Sequence, residues 1–181
     1  MQLRRATVED AEAIRSIYNV EVQTSTVTFD IMPRSLEEQQ QWIVNRSGAH
    51  AVVVALDDDD DVVGFGSLSP YKARPAYATT VEDSVYVHRE HQGEGVGRSV
   101  LAELIRLADE HGFHAIMARI VGDHATSIGL HSSQGFHVVG REREVGRKFG
   151  RWLDVVVMER LVGGGHDSQS ATTTAIRRAR A

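Results

Sequence analysis

The stretch Ser84-Val85-Tyr86-Val87-His88-Arg89-Glu90-His91-Gln92-Gly93-Glu94-Gly95-Val96-Gly97-Arg98 constrains this chain more than any other. A strand ends in it, a glycine-rich turn follows, and a long helix begins. The strand, Thr80–His88, alternates: Val81, Val85 and Val87 fall on one face, Glu82, Ser84 and Tyr86 on the other. The helix, Gly95–His111, carries Val100, Leu101, Leu104, Ile105 and Ala108 at helical spacing. Unpaired N–H groups at a helix start, together with the helix dipole, form an anion site. Glycines let that backbone approach a phosphate closely. Two familiar phosphate motifs do not fit. The dinucleotide fingerprint needs a third glycine where Arg98 stands, and the P-loop needs Gly-Lys-Ser/Thr, whereas Gly97 is followed by Arg98 and Ser99.

Around this segment the hydrophobic period switches repeatedly. Thr7 with Asp10 predicts a capped helix over about 8–22, with Ala11, Ile14 and Tyr18 on one face. Ser35 with Glu38 is a capping box for a second helix, to about Arg46, that carries Trp42 and Ile43 inward. His50–Leu56 reads as a buried strand. Five consecutive acids, Asp57–Asp61, read as a solvated hairpin turn, and Val62–Tyr71 returns. Beyond the long helix come a strand (His114–Val121), a helix (Ala125–Gln134) closed by Gly135, and two strands, Phe136–Val145 and Trp152–Leu161. The order β-α-α-β-β-β-α-β-α-β-β implies an α/β layer fold with a mixed central sheet.

Composition sets the outer limits. A chain of 181 residues, 41% hydrophobic and 25% charged, suits one globular domain. Twenty Lys and Arg against 25 Asp and Glu leave a net charge of -5, the wrong sign for a sequence-blind nucleic-acid binder. With no cysteine, disulfides, thiolate metal sites and a cysteine nucleophile are excluded. No apolar run reaches the ~18 residues of a membrane helix, and no signal-like stretch follows Met1, so a cytoplasmic protein without a membrane partner is expected. Residues 163–181, rich in Gly, Ser, Thr and Ala, are expected to be a disordered tail. Its three Arg and one Asp give it +2, which leaves -7 on the expected domain, 1–162. His88 and His91 lack an evident third ligand, so no metal is expected.

Gln92, Gly95 and Gly97 fit the Gln/Arg-x-x-Gly-x-Gly/Ala pattern. His124, Ser127, Leu130, His131, Gly135 and Phe136 stand at the positions of Asn-x-x-Ala-x-x-Leu-Tyr-x-x-x-Gly-Phe. In both, over about 1–162, the chain resembles the GNAT superfamily of N-acetyltransferases. Ile17-Tyr18-Asn19, Thr28-Phe29, Tyr71-Lys72-Ala73-Arg74, Thr80–Val87 and above all Lys148-Phe149-Gly150-Arg151-Trp152-Leu153-Asp154 resemble the phosphinothricin N-acetyltransferase branch. His124 departs from it, standing where the branch usually has Asn, and Glu94 places an acid in a phosphate loop, where it must point outward or be paired.

The resemblance implies an acetyl-CoA-dependent enzyme that acetylates the α-amine of phosphinothricin, methionine sulfoximine or a related small amino acid, as a homodimer. It implies that acetyl-CoA meets Val85, Tyr86 and Val87, the loop Gln92, Gly93, Glu94, Gly95, Val96, Gly97 and Arg98, and further on His124 and Ser133. It implies that the substrate meets Phe29, Lys72, Ala73, Arg74, Glu82, Asp83 and Ser84. His131 stands where the superfamily often has a Tyr that hydrogen-bonds the departing sulfur, and where this branch usually has His.

Chemistry supplies its own argument. An amine must be neutral to attack a thioester, yet a free α-amine is largely protonated at neutral pH, so a base is needed. Glu82, on the strand face of Tyr86 and next to the cofactor segment, is the candidate. His131 could protonate the thiolate, hydrogen-bond it, orient the amine, or be structural. Lys72 and Arg74 suit a substrate carboxylate or phosphinate, or are solvated loop charges. Lys148 and Arg151 face either the substrate or a partner subunit. The rivals are an acetyltransferase for protein N-termini or lysine, and a non-catalytic acyl-CoA sensor.

Overall fold

The computed structural model describes residues 1–46 and 48–163. The expected tail lies outside the described residues apart from Gly163. The elements follow the expected order. They are β1 (Gln2–Arg5), α1 (Ala11–Thr24), α2 (Leu36–Val44), β2 (Val52–Leu56), β3 (Val62–Pro70), β4 (Thr80–Val87), α3 (Val96–Glu110), β5 (Ala115–Val121), α4 (Ala125–Ser133), β6 (His137–Lys148) and β7 (Arg151–Leu161). The first helix begins later than the sequence suggests, because Val8–Asp10 form a 3-10 turn. The Asp10 carboxylate accepts from the Thr7 N–H at 2.7 Å and ties that turn down. Ser35 and Glu38 make the expected reciprocal cap, at 3.1 and 2.7 Å. The five acids do form the β2–β3 turn, closed by Asp57 N–H to Asp61 C=O at 3.0 Å.

Seven strands form one sheet in the order β1-β2-β3-β4-β5-β7-β6. Every pair is antiparallel except β4 with β5. Helices α1 and α2 cover one face through Ile14, Ile17, Val22 and Ile43, which pack on Val52, Val54 and Phe65. Helix α3 covers the other through Val100, Leu101, Leu104 and Ala108, packed on Val53, Leu68, Val81 and Ile116. Gly64 and Gly66 permit that approach: a Cβ at Gly66 would lie 2.6 Å from Val100 Cγ1 and 2.9 Å from Leu104 Cδ1. The side-chain alternation read from β4 holds. Val81, Val85 and Val87 join the α3 side, and Tyr86 joins the α1 side, stacked on Phe65 at 5.2 Å.

Candidate active site

The two parallel strands at the centre of the sheet part company. β4 and β5 pair only at Thr80–Ala115, Val81–Ile116 and Glu82–Met117, while β4 continues to Val87 and β5 to Val121. From Asp83 onward the edge of β4 facing β5 has no strand partner, and the strands diverge into a V with Glu82 at its apex. A cavity of about 420 Å³ fills the V, walled by Asp83–Val87, Ala118–Val121 and α4. Unpaired strand N–H and C=O groups there can take an extended amide-bearing ligand as a further strand would.

At the wide end of the V stands the start of α3. Gly93 and Gly95 have φ of +85° and +87°, the left-handed region that side chains resist. The first helical hydrogen bond runs from Ser99 N–H to Gly95 C=O at 3.0 Å, so the N–H groups of Val96, Gly97 and Arg98 have no intrahelical acceptor. These residues line the cavity with Gln92, Gly93 and Gly95, and the Arg98 side chain adds a cation. The arrangement fits a pyrophosphate: bare amides, a helix dipole and no Cβ in the way. Glu94 does not spoil it, because it is exposed, lies outside the cavity wall and has its carboxylate 3.0 Å from His91 Nδ1.

At the narrow end lies a feature that sequence reading did not assemble. His131 and Asp83 are both buried and bonded, Nε2 to Oδ2 at 3.0 Å. His131 Nδ1 bonds the Ser127 carbonyl at 2.7 Å. Burial pulls the His131 imidazolium down, and the Asp83 carboxylate outweighs it and raises it. The signal was present in β4: Asp83 shares the parity of Val81 and Val85, so an acid stood on an apolar face. His124, lining the cavity, caps α4 by accepting from Ser127 N–H at 3.3 Å.

The other expected residues divide between the cavity wall and its surroundings. Ser84, Val85, Tyr86 and Val87 line the cavity, although the Tyr86 ring is engaged with Phe65 and with Tyr18 at 5.1 Å. Ser133 is exposed and donates to Leu130 C=O at 2.7 Å. Glu82 points to the opposite face from Asp83. Burial pushes its carboxyl up, Arg119 pulls it down, Asp83 and Glu142 push it up further, and the balance is upward. Arg119, which sequence reading missed, lines the cavity and pairs with Glu142, Nη1 to Oε1 at 3.0 Å. Lys72, Ala73 and Arg74 are exposed on the β3–β4 connection, with Lys72 Nζ 4.6 Å from the Tyr71 ring centre.

Phe29 belongs to the α1–α2 connection. Tyr18 donates to Asp30 Oδ2 at 2.6 Å and lies 3.0 Å from Thr28 Oγ1, which anchors that connection to α1. Phe29 packs against Gly146 of β6, where a Cβ would clash with its ring carbons Cε2, Cζ and Cδ2. Lys148, buried, donates to Thr28 C=O at 2.8 Å, so it fastens the connection to the hairpin, and Arg151 pairs with Asp123 at 3.1 Å. Among the described residues, no group of three His, Asp or Glu could hold a metal ion.

Comparison with known proteins agrees with this geometry. Residues 3–157 match the acetyltransferase (GNAT) domain. The chain is 37% identical to a phosphinothricin N-acetyltransferase of Streptomyces coelicolor, over 88% of this chain and 95% of that protein. It is 37% identical to an L-methionine sulfoximine/L-methionine sulfone acetyltransferase of Pseudomonas aeruginosa, over 87% and 92%. Among solved structures, a phosphinothricin acetyltransferase from Sinorhizobium meliloti in complex with acetyl-CoA superposes with a TM-score of 0.88 at 36% identity, over 92% of this chain and 91% of that one. A structure described as a ribosomal-protein-alanine N-acetyltransferase from Brucella melitensis superposes at 0.87 with 38% identity, over 90% and 100%. The split sheet, the glycine-started helix and these likenesses together place the chain in the GNAT acetyltransferase family.

Proposed function

We propose that this protein transfers the acetyl group of acetyl-CoA to the α-amine of a small amino acid of the phosphinothricin or methionine sulfoximine type. The observation that carries the reading is the V between β4 and β5, with bare helix amides at its wide end and titratable side chains at its apex. The relatives named for phosphinothricin and methionine sulfoximine supply the substrate class.

The amides of Val96, Gly97 and Arg98 and the Arg98 guanidinium hold the pyrophosphate, with Gln92 and Gly93 shaping the loop. The free edge of β4 takes the pantetheine amide, and a backbone N–H of Val85 to Val87 meets the carbonyl oxygen as charge develops there. Glu82, on the α1 side of the apex, accepts the proton the amine must lose, and its raised carboxyl makes it a better base than an ordinary carboxylate. Lys72 and Arg74 attract the substrate carboxylate, and Phe29, held by Gly146, covers its side chain. Two copies pair through the exposed apolar residues Val138, Val139, Val145, Phe149 and Trp152 of the β6–β7 hairpin, a sheet edge that invites a partner. The enzyme acts in the cytoplasm, without nucleic acid or membrane.

The test is thiol release from acetyl-CoA with a panel of acceptors: phosphinothricin, methionine sulfoximine, methionine sulfone, the natural amino acids, and a peptide beginning with alanine. Steady release with a free amino acid is expected. Release with the peptide alone replaces this reading by protein N-terminal acetylation, and none with any acceptor replaces it by an acyl-CoA sensor.

A further inference from the structure

The Asp83–His131 pair goes beyond any role the sequence suggests for either residue. Its proton inventory follows from its partners. His131 Nδ1 faces the Ser127 carbonyl at 2.7 Å, and a carbonyl only accepts, so Nδ1 carries a hydrogen. His131 Nε2 faces Asp83 Oδ2 at 3.0 Å, and that contact requires a second proton between them. Both side chains are almost completely shielded, 4% and 1% exposed. The other carboxylate oxygen, Oδ1, is buried and has no hydrogen-bond partner among the described residues, and Asp83 lines the cleft. Buried carboxylate oxygens are normally satisfied, so this one leaves the Asp83 charge with His131 as its hydrogen-bond partner.

We propose that Asp83 is the positioning residue of this active site: it fixes the His131 ring and holds it as an imidazolium beside the cleft, where its positive charge favours the departing thiolate. The inference rests on the acetyltransferase reading for its last step, while the state of the pair stands independently. Asp83 is the only acid among the described residues lining the cavity. The other charged or titratable groups there are Tyr86 from β4, Arg119 from β5, His124 from α4, and His91 and Arg98 from the loop and α3, and none of them favours a second cation. The Phe136 ring meets His131 edge-on at 5.1 Å and brings no charge. The upward direction of the His131 titration agrees.

The step balances. The amine nitrogen forms a bond to the acetyl carbon, the carbon–sulfur bond breaks, and its electron pair stays on sulfur. The imidazolium charge of His131 favours the sulfur as it leaves, and the free thiolate then takes a proton from solvent. The proton lost by the amine goes to Glu82 or solvent, and the Asp83–His131 pair keeps its own protons throughout. An ordinary thiol ionises near pH 8.5, so sulfur can depart as a thiolate, and a cation beside the cleft lowers the cost of the charge it then carries.

Asp83→Asn separates charge from shape. The amide can turn its Nδ2 toward a neutral Nε2 and keep the hydrogen bond with its direction reversed. Two readouts are needed. With 13C-labelled histidine, the His131 signal, assigned by its loss in His131→Asn, is followed against pH. In the wild type it is expected to titrate above the ordinary value of about 6.5, and in Asp83→Asn at least about one unit lower than in the wild type. With the best acceptor at neutral pH, Asp83→Asn is expected to lower kcat at least ~10-fold while the KM for acetyl-CoA changes less than ~3-fold. A wild-type His131 that titrates at or below its ordinary value overturns the proposal, and so does an unmoved titration or an unchanged kcat in the variant. Should Asp83→Asn fail to fold, the wild-type titration still decides. If the wild type acetylates no acceptor, the functional reading fails alone, because the titration reports the pair without turnover.

Discussion

Two glycines, two residues apart, should respond to the same substitution in opposite directions. Gly95 has φ +87° and ψ 0°, and a Cβ there would meet nothing within 4 Å. Gly95→Ala therefore loses only backbone energy, about 1–2 kcal/mol for an L residue in the left-handed region. Gly97 lies inside α3, where a Cβ would meet Leu130 Cδ2 and Val87 Cγ2 at 3.4 Å each, an ordinary contact. Gly97→Ala therefore gains about 0.5–1 kcal/mol, the usual advantage of alanine over glycine in a helix. The variants should differ by about 1.5–3 kcal/mol in stability. In a domain of this size 1 kcal/mol moves the melting temperature by about 2–4 °C, so their midpoints should separate by about 3–12 °C. Thermal melts at one pH without acetyl-CoA measure this. Binding adds a second axis. An alanine at 95 relaxes φ and turns the amides of Val96, Gly97 and Arg98 away from the loop, so acetyl-CoA affinity should fall at least ~10-fold, about 1.4 kcal/mol. Gly95→Ala melting at or above Gly97→Ala would refute the backbone argument. Unchanged acetyl-CoA affinity in a folded Gly95→Ala protein would refute the placement of the pyrophosphate.

Glu82→Gln should lower kcat by roughly 10²–10⁴-fold with little change in acetyl-CoA binding, and recover partly at high pH where free amine is abundant. In the wild type the acid limb of kcat/KM should lie above the ordinary carboxylate range, because burial raises Glu82. Gly146→Ala should displace the Phe29 ring and raise the KM of the amino acid more than that of acetyl-CoA, read from two substrate titrations. Asp10→Asn tests a structural carboxylate. Burial pushes Asp10 up, and the bidentate Arg4 guanidinium, 2.7 Å to each oxygen, outweighs it and holds the carboxyl low. A lowered carboxyl contributes stability above its unfolded value of about 3.9 and loses it as pH falls through the folded value. Urea midpoints should therefore show wild type ahead of Asp10→Asn by about 1–2 kcal/mol at pH 7, a figure discounted because Arg4 is more than a third exposed, with the gap closing below about pH 4.

What the sequence made legible is what depends on neighbours along the chain. The capping box at Ser35, the acid turn at Asp57–Asp61, the alternation of β4 and the glycines before α3 are local devices, and each stands where local chemistry puts it. The element boundaries drifted where tertiary contacts decide them: β6 extends to Lys148 because β7 pairs with it as far as Arg151, through two register shifts. The site was legible in part for the same reason. The anion cradle is a single contiguous segment. The apex of the V is not, since it forms where β4 leaves β5, a separation that no periodicity encodes.

Asp83 shows the boundary most clearly. Read locally, an acid beside Glu82 looked like a second substrate contact, and His131, 48 residues away, looked like an independent donor. Folding puts them 3.0 Å apart and shields both, which changes what each can do. A histidine whose two nitrogens are already engaged does not choose its own protonation state; the carboxylate chooses it. The two acids of β4 thus divide by parity alone. Glu82 looks to the face from which the amine arrives and needs to be empty-handed there. Asp83 looks to the face of α4 and keeps His131 charged. One strand, by alternating sides, can hold a base and the partner of a cation on adjacent residues without letting them exchange protons directly.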